Sequence, residues 1–129
     1  MKYIVLIGRI LFSLIFFMSG FHHFSRQSID YAASQHVPGA SFLVPASGIL
    51  AMAGAISIMS GYKAKLGAWL IVMFLVPVTL MMHNFWAVPD PMMKQMQMAM
   101  FMKNLSMLGG ALVIAYFGAG PLSLDIKNR

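Results

Sequence analysis

Imidazole, ammonium, guanidinium and carboxamide groups stand in this chain where long apolar runs begin or end. His22 and His23 close one run, His83 and Asn84 close another, and Lys103 with Asn104 lies one turn inside a third. Such groups supply the donors that a buried carbonyl requires. Paired histidines from two helices could also ligate a haem, His22 or His23 on one side and His83 on the other. Arg9 lies two turns inside the first run, and at about 100° per residue Ser13, Gly20 and His23 share its direction. An ionisable side chain in hydrocarbon costs from about 2.5 to more than 10 kcal/mol, so each of these groups calls for a physical reason. The plainer reasons are a snorkelling Arg9 and histidines that meet water at helix ends, beside belt residues such as Trp86 and Tyr116.

Methionine offers a second chemistry. The chain has 14 Met, and Met92, Met93, Met96, Met98, Met100, Met102 and Met107 crowd into one stretch. Thioethers suit Cu(I). Against that, alternate positions on a helix point around it rather than converge, and Met also simply fills apolar gaps. Other chemistries lack their residues. There is no Gly-rich phosphate loop, no paired carboxylates, no nucleophile elbow and no His-x-x-x-His pair. Cysteine is absent, which excludes disulfides, thiolate metal sites and dithiol redox chemistry.

The elements that must position these groups follow from composition. Of 129 residues, 60% are hydrophobic and 9% charged, against about one quarter charged in a soluble domain. Four continuous apolar stretches run at about 3–24, 42–60, 66–86 and 98–117, each near the length of about 20 residues that crosses a bilayer. Strands are excluded because the runs do not alternate and open sheets cannot sit in lipid. The fold expected is therefore all-α, an antiparallel four-helix transmembrane bundle forming one integral membrane domain over 1–129. The first run is too long for a signal peptide and is read as a retained anchor. Small residues at helical spacing, Ser47, Gly48, Ala51, Gly54 and Ala55, then Gly109, Gly110 and Ala111, allow close helix packing and would also suit a homo-oligomer.

The formal charge of +6 is scattered, with no basic run for phosphates to meet, so nucleic acid is not an expected partner. Lys2, Lys63, Lys65, Lys127 and Arg129 fall on one side of the four spans. Arg26 and Lys94, offset by Asp30 and Asp90, fall on the other. The positive-inside bias places both termini in the cytoplasm of an inner membrane, in contact with lipid. It also places His22, His23, His83, Asn84, Lys103 and Asn104 at one outer level, where they would form a polar pocket under the interface.

The run Gly8-Arg9-Ile10-Leu11-Phe12-Ser13, followed by Ser19-Gly20-Phe21-His22-His23, resembles the first span of the DoxX-like membrane proteins. The resemblance continues through Tyr31-Ala32, Val37-Pro38, the Gly61 turn and His83-Asn84-Phe85-Trp86. It closes at Lys103-Asn104-Leu105-Ser106-Met107-Leu108-Gly109-Gly110. It implies a four-helix bacterial inner-membrane bundle linked to redox systems. One departure stands out: the family's second span commonly carries a Glu, and here the stretch reads Ala51-Met52-Ala53-Gly54-Ala55. The function expected on this basis is an accessory subunit of a membrane oxidoreductase. It would bind a quinone between Arg9, His22, His23, His83, Asn84, Lys103 and Asn104, beside other redox subunits. The alternative is a non-catalytic scaffold or partner-binding membrane protein. A lesser alternative is Cu(I) handling by the Met-rich segment.

Overall fold

A computed structural model describes residues 2–127. Its helices are α1 (Lys2–His22), α2 (Arg26–Ser34), α3 (Ala40–Ser60), α4 (Ala64–Met82), α5 (Pro91–Phe117) and α6 (Leu124–Lys127), with a single 3-10 turn over Phe85–Ala87. Four of them, α1, α3, α4 with its following turn, and α5, are long and apolar enough to cross a membrane. The all-helical transmembrane bundle expected from composition is the architecture found.

The packing order is α1, α3, α4, α5, each helix lying against the next, with α2 laid on α3. α1 and α5 are therefore the two edges of an arc, which touch where the Phe12 ring lies against Gly110. The core between the helices is Phe16, Ala51, Ala55, Ile58, Ala68, Ile71, Phe74, Leu75 and Ala111. Small residues dominate α3 because it has a neighbour on both sides. Lipid offers helices no hydrophobic gain from associating, so close backbone approach and van der Waals contact must hold them. Large apolar side chains such as Leu11, Ile49, Leu66 and Val113 face outward, as lipid-facing residues should.

Local signals set the helix ends. The Ser25 hydroxyl accepts from the Ser28 N–H at 3.2 Å and starts α2 within what the sequence suggested was loop. Asp90 accepts from the Met92 N–H at 3.1 Å, and Pro91 supplies the first helical φ, so α5 begins well before the apolar run near Met98. At 27 residues α5 is about 40 Å long, beyond the roughly 30 Å hydrocarbon core, so its Met-rich first turns extend past the bundle. Gly61, at φ +75°, ends α3 in the left-handed conformation that glycine adopts without strain. α4 starts after Lys63, which is itself left-handed and offers no cap of its own. The cap comes from the far end of the chain: Asp125 accepts from the Lys63 N–H at 2.6 Å and from the Ala64 N–H at 3.0 Å.

Candidate functional site

The expected site residues separate into two groups at opposite ends of the arc. Arg9 belongs to the end that carries Gly61 and the C-terminal segment. Its Nη2 donates to the Leu122 carbonyl at 2.5 Å, while Nε and Nη1 have no hydrogen-bond partner among the described residues. Arg9 is 4% exposed, and its guanidinium packs against Gly61, where a Cβ would strike Nη1. Ser13, one turn on, is fully buried with its hydroxyl unpartnered. The face shared by Arg9, Ser13 and Gly20 thus points into the bundle, as the helical spacing indicated. Arg9 does not meet the histidines: 13 residues of helix separate it from His22, roughly 20 Å. Arg129, one of the charges behind the expected orientation, lies outside the described residues.

The second group gathers at the α2 end. His23 Nδ1 lies 2.8 Å from Ser47 Oγ, and the Ser47 hydroxyl donates to the Val44 carbonyl at 2.7 Å. Because that hydroxyl proton is already committed, His23 must donate through Nδ1, leaving Nε2 as an acceptor. The ring also lies 5.3 Å from the Phe74 ring, centroid to centroid. A second relay joins three helices. His83 Nδ1 donates to Gln97 Oε1 at 2.8 Å, Gln97 Nε2 donates to the Tyr31 hydroxyl at 3.3 Å, and Tyr31 donates to the Met82 carbonyl at 3.2 Å. Sequence reasoning missed Tyr31 and Gln97. Tyr31 entered only through the resemblance and Gln97 only as a member of the Met-rich segment, so neither carried a site signal of its own.

Two cavities flank this end. One, of about 710 Å³, lies between α2, α3 and α4; its mouth carries His22, Gln27, Ser28 and Tyr31 and its walls are apolar. The other, of about 630 Å³, lies along the α1, α4 and α5 side, with His22, His83, Lys103 and Asn104 at its polar end. His22, His23, Tyr31 and Phe74 line both. The structure therefore brings together His22, His23, His83, Lys103 and Asn104. It leaves out Asn84, which precedes the 3-10 turn, and Arg9. Chemically, the end offers hydrogen-bond donors and acceptors over apolar walls, with no carboxylate base lining either cavity. No group of three or more His, Asp or Glu among the described residues could hold a metal ion. The methionines from Met92 to Met102 are exposed around α5 rather than gathered at one point.

The chain matches the SURF4 family over residues 1–129. It is 28% identical over 123 residues to the inner membrane protein YqjF of Escherichia coli, covering 94% of this chain and 88% of that one. It is 30% identical over 81 residues to the ER-derived vesicles protein ERV29 of Saccharomyces cerevisiae, and 29% over 82 residues to the Surfeit locus protein 4 homolog of Schizosaccharomyces pombe. Each of those matches covers 63% of this chain but only about a quarter of the yeast protein, 26% and 27%. No solved structure matches. These findings overturn the DoxX-like resemblance and, with it, the quinone-binding redox subunit that the resemblance implied. The residues that suggested it, an Arg and small residues on one face and His at the ends, are what a compact bundle of short spans uses for packing and end contacts.

Proposed function

Because the chain belongs to the SURF4 family, we propose that it is a non-catalytic membrane protein that binds a partner protein at the α2 end of the bundle. The observation that carries this reading is the cavity of about 710 Å³ between α2, α3 and α4. Its apolar walls, Leu50, Met73, Phe74 and Val78, sit below a mouth that carries Gln27, Ser28 and Tyr31. That combination fits a partner segment bringing an apolar side chain flanked by main-chain donors and acceptors. His23 and His83 are positioning residues on this reading: each spends Nδ1 on a fixed partner, Ser47 or Gln97, and so holds the walls in place. Supporting a binding role over a catalytic one, no carboxylate lines the cavity, and the Ser47 hydroxyl beside His23 spends its proton on the Val44 carbonyl.

The E. coli relative's name places that protein in the inner membrane, and the same location is proposed here, with both termini cytoplasmic. Lys63 in the α3–α4 turn and Lys65 at the start of α4 support that orientation, since short basic loops stay inside. The α2 end then faces outward.

Site-specific photo-crosslinking in native membranes tests the reading. A crosslinker at Gln27 should give one discrete protein adduct, which His83→Phe weakens, while a crosslinker at lipid-facing Leu66 should give none. Lipid adducts alone at both positions would defeat it.

A further inference from the structure

A groove runs along the open side of the arc. α1 and α5 are its two banks, and they meet at Phe12 and Gly110, well below the polar end. Above that contact the groove widens to about 630 Å³, walled by Leu11, Ile15 and Met107 and opening sideways, where the lipid chains are.

Three observations at its polar end are left unexplained by the bundle alone. Asn104 is 6% exposed, yet its carboxamide has no hydrogen-bond partner among the described residues. The carboxamide borders the groove, so its donors and acceptor are open to a polar group that enters there. Lys103, its neighbour in sequence and also on the groove, has a single polar contact, the Met100 thioether at 3.5 Å. The chain's three carboxylates are elsewhere: Asp125 caps α4 at the far end, Asp90 caps α5, and Asp30 is exposed on α2. Finally, His22 adds an exposed imidazole from the last turn of α1. The groove thus presents an uncompensated cation and an idle amide at the level where α1 and α4 end, which is where phosphate headgroups lie.

We propose that this groove binds one anionic phospholipid. Its phosphate is held by Lys103 and Asn104 with His22 beside them, and one acyl chain lies between Leu11, Ile15 and Met107. Basic pockets between transmembrane helices recognise such headgroups by their charge. A zwitterionic lipid of the same chains would fill the apolar part equally well but would bring its own cation to Lys103. The charge is therefore the discriminating feature.

Native mass spectrometry of the whole protein in neutral detergent tests this, with phosphatidylglycerol and phosphatidylcholine of identical acyl chains as probes. One phosphatidylglycerol should bind with a preference of about fivefold, the worth of one well-placed lysine. Lys103→Gln should reduce that binding to the phosphatidylcholine level, and Lys103→Arg should restore it. Lys94→Gln, an exposed cation on the same helix outside the groove, should leave it unchanged. Ile15→Trp, which fills the groove and keeps every charge, should abolish the tight adduct. Equal binding of the two lipids by the unaltered protein would overturn the proposal. So would equal losses from Lys103→Gln and Lys94→Gln, or an adduct that survives Ile15→Trp. None of these outcomes bears on the partner cavity behind Phe74, so the two readings fail separately.

Discussion

Gly20 of α1 and Gly48 of α3 face each other across the tightest crossing in the bundle: a Cβ built on Gly48 would stand 2.7 Å from the Gly20 carbonyl, and one on Gly20 would stand 2.8 Å from the Gly48 carbonyl. Both obstacles are backbone, which cannot swing aside. Gly48→Ala should therefore force the helices apart and lower stability by about 1–3 kcal/mol, the usual cost of overpacking. Gly109, within α5, has nothing within 4 Å of its Cβ position, so Gly109→Ala should gain up to about 1 kcal/mol from helix propensity. Thermal unfolding in detergent checks both. Shifts of the same sign in the two variants would refute the crossing argument.

A second pair of glycines repeats the device on the other side of α3. Gly54 and Gly67 bring α3 against α4, with Cβ positions 2.9 and 3.1 Å from the opposing carbonyls. Gly67→Ala also meets the Ser57 hydroxyl, which donates to the Tyr62 carbonyl in the α3–α4 turn. The expected result is a destabilisation at least as large as that of Gly48→Ala, with protease sensitivity appearing at Lys63 and Lys65. A stable variant with an intact turn would speak against it.

The Asp125 cap yields a third expectation. Asp125→Ala removes the acceptor of two N–H groups at the start of α4, and loss of a cap costs about 0.5–2 kcal/mol. The same change frees the chain around Leu122, whose carbonyl accepts from Arg9. Asp125→Asn retains one acceptor oxygen and should lose roughly half as much. Melting temperature and amide exchange at Lys63 and Ala64 report the result, and unchanged exchange in Asp125→Ala would exclude the cap.

These contacts mark the limit of what the sequence revealed. Hydrophobic runs and small-residue spacing sufficed for four spans and for the stripe on α3 because both are local, periodic properties of the chain. The common level of His22, His83 and Lys103 followed from topology alone. Asp125 reaching Lys63, and Leu122 reaching Arg9, are contacts between segments 62 and 113 residues apart, and no periodicity encodes them. α2 escaped notice because nine residues give little pattern; its start rested on Ser25 alone. The redox assignment failed for a different reason. Arg9, His83 and Lys103 are residue types that many small bundles place at their ends, so they identify an architecture and not an activity.

Arg9 itself supplies a fourth prediction. Its guanidinium is buried with one hydrogen bond made and two nitrogens idle. A buried charge satisfied so poorly contributes little to stability, and apolar replacements of similar volume are often neutral or better. Arg9→Met should leave the unfolding free energy within about 1 kcal/mol of its original value. It should nevertheless loosen the segment around Leu122, seen as faster amide exchange there. A large loss of stability would mean that Arg9 is paired more fully than its single bond to Leu122 indicates.

The relay from His83 through Gln97 and Tyr31 to Met82 permits a sharper test, because its members can be removed singly or together. Gln97→Leu leaves the His83 Nδ1 proton and the Tyr31 hydroxyl each short of a partner. His83→Phe leaves Gln97 Oε1 without its donor. An unsatisfied partly buried group costs about 1–3 kcal/mol, whereas replacing both partners by apolar groups is close to neutral. The double variant should therefore be more stable than the sum of the single losses implies, with a coupling of about 0.5–3 kcal/mol. Since Tyr31 still donates to the Met82 carbonyl, α2 should stay docked in Gln97→Leu and in the double variant alike. Thermal unfolding of the four proteins in the cycle measures the coupling. Strict additivity would mean that His83 and Gln97 each bond to water rather than to one another.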